Sequence, residues 1–375
     1  MIIERATVFR VEMPLLAPFR VSFGDLDSVE TILVKLEANE CDGWGEAAPF
    51  ALPLYSSEWA PGVFLVLRDV FLPAVVGVNV CSADQLQDLL AAYKGNNFAR
   101  AALEGAWWSL EAQRTGNSLS SLLGAKRREV EVGADYGVLD SLEQLIAEID
   151  RDVASGCRRV KLKFRPGWDV EMVRSVRREF PGLVIHIDCN SAYSLGDLDI
   201  FREVDTLDLA MIEQPLGHDD LVDHAALQDA LGTPICLDES IGNLHQAEKA
   251  IELGSCRWVN IKPQRVGGLS HAVRIHDLCR QAGIGCWVGG MLESTVGASS
   301  CVALAALEGF NYPADIFPTS RFYARDLGQP ELVFQQRRDG WFVTVDDILR
   351  FPVAELLEEW MAECAIVVPH AKGRG

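Results

Sequence analysis

The sequence has no two cysteines in a CxxC pair, no excess of basic residues and no long uninterrupted apolar segment. Because zinc sites and redox motifs commonly use CxxC pairs, the ten cysteines are expected to be reduced thiols, mostly buried, rather than metal ligands or disulfides. The formal net charge is -20, from 54 acidic and 34 basic residues. This charge argues against a nucleic-acid partner, since phosphate recognition needs a basic face.

Two further absences concern the membrane. The first residues alternate like a strand and lack the apolar core of a signal peptide, and the apolar stretch from Val63 to Val80 is interrupted by Arg68 and Asp69. We therefore expect a cytoplasmic protein without a membrane partner. The negative charge does not exclude a small anionic substrate, because a few local cations can dominate one pocket.

The 375 residues divide into two regions. In residues 1–125, strand-like segments precede helical ones, which predicts an α+β capping domain with a helix that ends at Gly116. In residues 126–327, at least seven short apolar runs alternate with helix-length segments, which predicts an α/β fold with a TIM-like (β/α) barrel. The last barrel strand is expected near residues 315–317. The tail, residues 328–375, is predicted to fold back onto the capping domain and complete it.

Five ionisable residues follow five of the apolar runs at nearly constant spacing. Lys163, Asp188, Glu213, Asp238 and Lys262 are separated by 25, 25, 25 and 24 residues. One βα unit of a barrel has about this length, so the spacing predicts that all five lie at the same height. This height is the C-terminal mouth, where barrel active sites are built.

Three of these residues are carboxylates, and carboxylates on adjacent strands repel one another in a pocket of low dielectric constant. Asp188, Glu213 and Asp238 are therefore predicted to bind a hard divalent cation, Mg²⁺ or Mn²⁺, that leaves room for substrate oxygen and water. The alternative is that they are helix N-caps, as DCNS and DESI suggest. Three acids in register between two lysines favour the metal site.

Lys163 and Lys262 are predicted to flank the metal from opposite sides. A desolvated lysine near cations has a lowered pKa and can act as a general base, and a metal stabilises the enediolate formed when the proton beside a carboxylate is removed. Lys161 has the same strand parity as Lys163, so it also points inward unless the strand has a charged edge. Lys262 could alternatively be a Schiff-base lysine, as in TIM-barrel aldolases, but the three carboxylates count against this.

Seven segments resemble the o-succinylbenzoate synthase/N-acylamino acid racemase family, in the muconate-lactonising subgroup of the enolase superfamily. They are PFRVSFG (18–24), KLKFRPGWDV (161–170), DCNSAY (188–193), IEQPLGHDDLVDHA (212–225), CLDES (236–240), NIKPQRVGGL (260–269) and GGMLES (289–294). Their order and spacing match the family over most of the chain. The run WVGGML lacks the histidine of mandelate-racemase-like members, which disfavours that subgroup.

The resemblance implies a role for each of the five residues. Asp188, Glu213 and Asp238 would bind Mg²⁺, and Lys163 and Lys262 would be acid/base groups on opposite faces of the substrate. In o-succinylbenzoate synthesis, Lys163 would remove the proton and assist loss of hydroxide from the same side. Lys262 would then lie against the substrate ring as a cation–π partner. In racemisation, each lysine would act in turn.

Further residues are implied around these. The supporting residues are Lys161, Asn190, Glu239 and Arg265, the last resembling an arginine of members with racemase activity. The candidate substrate-binding residues are Phe19, Ser22, Tyr55, Asp135, Met291 and Glu293. The segment from Phe19 to Asp25 is either a mobile lid, which the resemblance favours, or an ordinary hairpin loop. Tyr55 either faces the pocket or packs in the core.

Three positions depart from the family pattern. VGADYG replaces the usual VGVSxG and places Asp135 and Tyr136 near the pocket, TVGASSC from Thr295 replaces a GIGRAHN-like segment, and Val21 replaces the usual Thr. The extra carboxylate of Asp135 could alter the surroundings of the substrate. These departures make the identity of the substrate less certain than the chemistry.

The expected function is Mg²⁺-dependent syn dehydration of a cyclohexadiene carboxylate to o-succinylbenzoate in menaquinone biosynthesis, in a homo-oligomer by analogy with the superfamily. The alternatives are an N-acylamino acid (N-succinylamino acid) racemase and another cycloisomerase or epimerase of the subgroup. A non-catalytic relic of the barrel is a third alternative, which the intact set of charged residues disfavours, because burying such charges is costly without a function.

Overall fold

The computed structural model describes residues 1–21 and 24–369. Ser22, one of the candidate substrate-binding residues, lies outside the described residues. All ten cysteines lie inside them and are free thiols, seven of them buried, as predicted. Over the two described ranges, no helix is both long enough and apolar enough to cross a bilayer.

Strands and helices alternate along most of the chain. The strands are β1 (Arg5–Val21), β2 (Gly24–Ala38), β3 (Cys41–Ala47), β4 (Glu129–Val132), β5 (Ala134–Tyr136), β6 (Arg159–Lys163), β7 (Val184–Asp188), β8 (Ile212–Glu213), β9 (Ile235–Leu237), β10 (Trp258–Ile261), β11 (Gly285–Val288), β12 (Gly328–Gln329), β13 (Phe334–Arg337), β14 (Gly340–Thr344), β15 (Phe351–Pro352) and β16 (Met361–Val367). The α-helices are α1 (Ala60–Val66), α2 (Leu72–Val75), α3 (Ala83–Leu89), α4 (Asn97–Thr115), α5 (Leu119–Leu122), α6 (Leu142–Ala154), α7 (Val170–Glu179), α8 (Leu198–Val204), α9 (Val222–Ala230), α10 (Leu244–Leu253), α11 (Leu269–Ala282), α12 (Thr295–Ala305) and α13 (Ala354–Trp360).

The N-terminal region is an antiparallel sheet with the strand order β16-β1-β2-β3, and α4 packs against β3. Close packing requires glycine on β3, because a Cβ at Gly45 would collide with the backbone of α4 at Ala102 and Ala106. The helix α4 ends where the sequence predicts, with Gly116 in the left-handed conformation at φ +66°. The apolar faces of sheet and helix together form the core of this region.

The second region is the predicted parallel (β/α) barrel. Strands β5 to β11 are hydrogen-bonded in sequence order. The segment at Ala314 and Asp315 closes the circle, since the Asp315 amide donates to the Val288 carbonyl (3.0 Å) and the Gly133 amide donates to the Ala314 carbonyl (3.2 Å). This segment therefore takes the eighth strand position, close to where the last strand was expected. A curled parallel sheet with helices outside it is confirmed.

The pairing of strands explains how five residues spaced along the chain reach one level. Lys163 pairs with Asp188, and Asp188 pairs with Glu213. On β9, Glu213 pairs with Cys236, which lies two residues before Asp238. The register of β9 and β10 brings Asp238 level with Asn260, which lies two residues before Lys262. Side chains alternate along a strand, so a shift of two residues between neighbouring strands keeps each of these side chains pointing inward. Barrel strands are tilted, and this shift in register keeps the residues at the level of the mouth.

The C-terminal tail divides between the two regions, which corrects the prediction that all of residues 328–375 fold back onto the capping domain. The strand β16 does pair with β1, and α13 packs there. The hairpin of β13 and β14 instead pairs with β4, and Trp341 and Val343 enter the core of the barrel. Both side chains are buried there, and their removal from water stabilises this position of the hairpin.

Two buried glutamates of the N-terminal region hold the first turns of two barrel helices. Glu46 accepts hydrogen bonds from the backbone amides of Ser294 (3.0 Å) and Gly297 (2.8 Å), at the start of α12. Glu104 accepts from the backbone amide of Ser270 (2.8 Å), at the start of α11. Carboxylates satisfy the free N–H groups at helix N-termini, so these contacts orient the capping region on the barrel. Burial raises the pKa of Glu46 to about 7.

Candidate active site

Charged side chains fill the C-terminal mouth of the barrel, and most of them are fully buried. The carboxylates are Asp135, Asp188, Glu213, Asp238, Glu239 and Asp315, and the cations are Lys161, Lys163, Lys262 and Arg265. Arg159, the first residue of β6, pairs with Asp315 at 2.7 Å. Burial raises the pKa of Asp135 and of Glu239, as expected for carboxylates crowded in a pocket.

Lys161 lies at the centre of this cluster. Its Nζ is 2.9 Å from Asp188 Oδ2, 2.9 Å from Glu213 Oε2 and 3.2 Å from Asp315 Oδ2. Burial acts to lower the pKa of Lys161, but the acids around it hold that pKa well above its ordinary value. The side chain therefore points inward as a fixed ammonium, which excludes the charged strand edge as its explanation.

Lys163, at the end of β6, pairs with one of the predicted metal ligands. Its Nζ lies 2.6 Å from Asp188 Oδ2, and the backbone amide of Asn190 donates to Asp188 Oδ1 at 3.0 Å. Burial acts to raise the pKa of Asp188, but Lys161 and Lys163 hold it well below its ordinary value. Asp188 is consequently an ionised acceptor in this site.

Lys262, which follows β10, has a different set of partners. Its Nζ is 2.9 Å from Asp238 Oδ2, 3.2 Å from the Tyr55 hydroxyl and 4.7 Å from the centre of the Tyr55 ring. Arg265 donates to Asp238 Oδ1, and the Tyr55 hydroxyl donates to the same oxygen at 3.1 Å. Burial lowers the pKa of Lys262, but Tyr55 and nearby acids outweigh it and raise the pKa. The lowered lysine pKa that the sequence analysis expects is therefore not found at Lys262.

The two lysines approach the site from opposite directions. Lys163 is the last residue of β6 and Lys262 directly follows β10, and these two strands lie four positions apart among the eight around the barrel. Half of a closed barrel lies between them, so their amines enter the mouth from opposite walls. A substrate carbon between them would present one face to each lysine.

A divalent metal needs carboxylates that converge, and here the cations separate them. Within residues 1–21 and 24–369, no three acidic, histidine or cysteine side chains are placed to hold a metal ion together. Lys161 lies between Asp188 and Glu213, and Lys262 with Arg265 holds Asp238. The predicted ligands are thus neighbours on consecutive strands, but their oxygens point to ammonium and guanidinium groups.

The chemistry of the donors nevertheless fits a hard cation. All three predicted ligands offer carboxylate oxygens, which Mg²⁺ prefers. Next to Asp238, the Oε2 atom of Glu239 is buried and has no hydrogen-bond partner among the described residues, and burial raises the pKa of Glu239 to about 7. The residues present would hold Mg²⁺ after local movement of side chains.

A cavity of about 50 Å³ lies above the charged cluster. The residues that line it are Phe19, Val21, Leu26, Phe50, Tyr55, Asp135, Lys161, Lys163, Asn190, Lys262, Gly290, Met291, Leu292 and Asp315. Four predicted substrate-binding residues are among them, namely Phe19, Tyr55, Asp135 and Met291. The barrel supplies charges, and the N-terminal region supplies an apolar wall.

Glu293, a predicted substrate-binding residue, does not line this cavity. It accepts a hydrogen bond from the Met291 backbone amide, and its Oε1 lies 3.1 Å from Cys301 Sγ. Leu292 has a left-handed backbone with φ +59°, and this turn points Glu293 towards α12. Glu293 lines a separate cavity of about 40 Å³ beside the first. Tyr136 also faces away from the pocket, because its hydroxyl bonds to Asp152 on α6.

The described residues of the segment predicted as a loop or lid are the paired ends of β1 and β2. Phe19 pairs with Leu26, and Val21 pairs with Gly24. Arg165 donates to the Val21 carbonyl at 2.9 Å, so the hairpin is fastened to the loop that follows β6. The hairpin covers the barrel mouth, and its role as a lid stays a prediction.

Three polar residues of the site were not identified from the sequence. Asn260 donates to Glu213 Oε1 at 2.7 Å, and His186 lies 3.4 Å from Glu213 Oε2. Both precede a predicted site residue by two positions, so strand parity could have identified them. Asp315 contacts Lys161 but follows no apolar run, and the sequence carried no comparable signal for it.

Known families match both regions of the chain. Residues 3–124 match the N-terminal domain of mandelate racemase / muconate lactonizing enzyme, and residues 144–341 match the enolase C-terminal domain-like family. An o-succinylbenzoate synthase from Geobacillus kaustophilus is 45% identical over 333 residues, which are 88% of either chain. An N-succinylamino acid racemase from Thermus thermophilus is 40% identical over 96% of this chain and 98% of its own.

Solved structures agree with this assignment. A member of the enolase superfamily from Listeria innocua superposes with a TM-score of 0.92 at 36% identity, covering 98% of this chain and 99% of its own. The fold, the order of the charged residues and both family matches lead to one conclusion. The chain is an enzyme of the enolase superfamily and belongs to the family that contains o-succinylbenzoate synthases and N-succinylamino acid racemases.

Proposed function

We propose that the chain is an o-succinylbenzoate synthase, which dehydrates a cyclohexadiene carboxylate in menaquinone biosynthesis. One observation carries the proposal: Lys163 and Lys262 enter a single cavity from opposite walls, above carboxylates from three consecutive strands. Relatives named o-succinylbenzoate synthase, 38% to 45% identical over most of the chain, support the choice of reaction.

Lys163 is proposed to perform both proton transfers. As a free amine it removes the proton beside the substrate carboxylate, and an enediolate forms. Syn elimination requires hydroxide to leave from the same face, so the ammonium of Lys163 returns the proton to the departing oxygen. The substrate thereby loses one hydrogen and one hydroxyl group as water, its ring becomes aromatic, and Lys163 is again a free amine.

Lys262 is proposed to remain a cation on the opposite face. Asp238 and the Tyr55 hydroxyl hold its ammonium group in place. A fixed positive charge near a ring that gains negative charge stabilises the transition state without reorganisation. Tyr55 and Arg265 would act by positioning Asp238 and Lys262.

Asp188, Glu213 and Asp238 are proposed to hold Mg²⁺, with Mn²⁺ as a substitute. Enzymes of this superfamily depend on a divalent metal, typically Mg²⁺. When bound, the ion would neutralise the charge that the substrate carboxylate gains as the proton leaves. Asn260 and Asn190 would orient Glu213 and Asp188 through the hydrogen bonds described above.

N-succinylamino acid racemisation is a second candidate activity. The relative from Thermus thermophilus supports it, as do the two opposed lysines, since one could remove a proton while the other delivers one to the opposite face. Both reactions begin with removal of the proton beside a carboxylate. One site could therefore catalyse both of them.

Two assays of the purified chain with Mg²⁺ test these activities. The first follows the absorbance of the cyclohexadiene precursor, and the second follows the optical rotation of an N-succinylamino acid. We expect loss of the precursor, and loss of all activity with excess EDTA that added Mg²⁺ restores. Racemisation without dehydration would assign the chain to the second candidate. Full dehydration in EDTA would remove the metal from the mechanism.

We also propose a cytoplasmic location and a homo-oligomeric state. The free thiols, seven of them buried, are compatible with a reducing compartment. Fractionation of cells that express the chain tests the location, and sedimentation of the purified protein tests the assembly. A monomer at micromolar concentration would contradict the second proposal.

A further inference from the structure

Asp135 is a carboxylate of the cavity that has no role in the proposed mechanism. It lies on β5, pairs in register with Lys161 and lines the cavity beside Lys163. Its Oδ1 atom is buried and has no hydrogen-bond partner among the described residues. Buried acceptors normally have donors, so this oxygen calls for an explanation.

The neighbouring cations do not supply the missing donor. Lys163 and Lys161 are the nearest positive charges, but the amines of both lie within 2.9 Å of Asp188 Oδ2. Arg321 reaches only the backbone carbonyl of Asp135, at 3.4 Å. Burial raises the pKa of Asp135, although both lysines act to lower it.

The other polar residues of the lining donate elsewhere, since the Tyr55 hydroxyl donates to Asp238 and the Asn190 side chain donates to Glu239. The side chains of Phe19, Leu26 and Phe50, also in the lining, are apolar. An aspartate with a structural task is satisfied by the protein itself, as Asp152 is by Tyr136 and Arg321. The remaining source of a donor at Asp135 is a molecule bound in the cavity.

We propose that Asp135 is a specificity-determining residue that accepts a hydrogen bond from an N–H or O–H group of the bound substrate. The site would thus select carboxylates that carry such a donor on the side facing β5 and β6, and it would reject a second anionic group there. This inference rests on the proposed function for the position of the substrate. The cyclohexadiene precursor offers a hydroxyl group, and an N-succinylamino acid offers an amide N–H.

A pair of ligands that differ in one donor tests the proposal. Calorimetry with Mg²⁺ gives Kd for an N-succinylamino acid and for its N-methyl analogue, which has lost the amide N–H. We expect the wild type to prefer the N–H ligand by about 10- to 100-fold, the range for a hydrogen bond to a charged group. Asp135→Ala should reduce this preference to a fewfold difference that reflects only the size of the methyl group.

Two further variants control for charge and shape. Asp135→Asn keeps an acceptor oxygen of the same size and should retain part of the preference, whereas Asp150→Asn removes one exposed charge and should leave it unchanged. An equal preference in the wild type and Asp135→Ala, or no binding of either ligand to the wild type, would overturn the proposal. Racemisation of the ligand would not remove its amide N–H, and dehydration is not measured here, so a failure of the dehydration assay remains a separate result.

Discussion

The barrel mouth and the hairpin of β1 and β2 line the same cavity with opposite kinds of surface. The barrel side supplies the charged groups, and most of these have partners within about 3 Å, as Lys161 has in Asp188 and Glu213. The hairpin side supplies the apolar side chains of Phe19, Val21 and Leu26. The comparison teaches that all the proposed reacting groups lie on the barrel side, whereas the hairpin adds apolar contacts only, so mutations of the reacting groups and of the hairpin should change different kinetic constants.

The strongest test of this separation is Lys163→Ala. Removing the proposed base should lower kcat for dehydration by about 10³- to 10⁴-fold, the upper range for general acid–base catalysis, with little change in ligand affinity. The absorbance assay measures this loss. Lys126→Ala, at an exposed lysine, should keep full activity. Unchanged kcat in Lys163→Ala would show that the barrel lysine is not the base.

The junction between the two parts can be tested through Glu46. Its pKa in the folded protein, about 7, is above its ordinary value of 4.5. A raised acid pKa means that its contribution to stability is present below about pH 4.5 and is lost as pH rises through 7. The free energy of unfolding of Glu46→Gln, relative to that of the wild type, should therefore increase by up to about 3 kcal/mol between pH 5 and pH 8.

Urea unfolding at both pH values measures this difference. Glu252→Gln, at an exposed glutamate of α10, should show no comparable change between the two pH values. A constant difference between Glu46→Gln and the wild type would mean that the four hydrogen-bond donors around Glu46 offset its burial completely. These donors are the Thr31 hydroxyl, the Ser294 hydroxyl and the amides of Ser294 and Gly297.

Metal affinity should depend on the barrel side alone. Glu213→Gln keeps an oxygen for Asn260 but removes the negative charge, and we expect Mg²⁺ affinity to fall by about 100-fold, since even outer contacts of metal sites contribute about 10- to 100-fold. Calorimetric titration with Mg²⁺ gives the value. Leu26→Ala in the hairpin is the matched comparison and should bind Mg²⁺ as the wild type does. Equal affinities in both variants would place the metal elsewhere.

The smallest expected effect is on the hairpin side. Phe19→Ala removes part of the apolar wall and should raise KM for dehydration by about tenfold while kcat stays within about twofold, because the ring contacts substrate and transition state alike. Steady-state kinetics separates the two constants. A large fall in kcat with unchanged KM would mean that the hairpin takes part in the chemical step, and the separation would be lost.

The sequence predicts the barrel side much better than the hairpin side. A spacing of 24 or 25 residues follows from the length of a βα unit, so the positions of Lys163 to Lys262 can be derived from a repeating geometry. No repeat relates Phe19 or Tyr55 to the barrel, because loops and hairpins bring them there through contacts distant in sequence. Only the family resemblance pointed to them.

One misplaced segment shows another limit. The hairpin of β13 and β14 was assigned to the capping domain, but it pairs with β4 of the barrel region. Local patterns predict elements, but the surface on which an element packs depends on the whole fold.

The contacts of Glu46 and Glu104 with the first turns of α12 and α11 have a consequence for protein engineering. An N-terminal region transplanted from another superfamily member would bring a new apolar wall, and with it a new substrate preference. Such a chimera would leave several backbone N–H groups without acceptors unless the transplanted region also carried acidic residues at both positions. Exchange of substrate preference between family members is therefore limited by two anchor points about 60 residues apart in the sequence, neither of which lines the cavity.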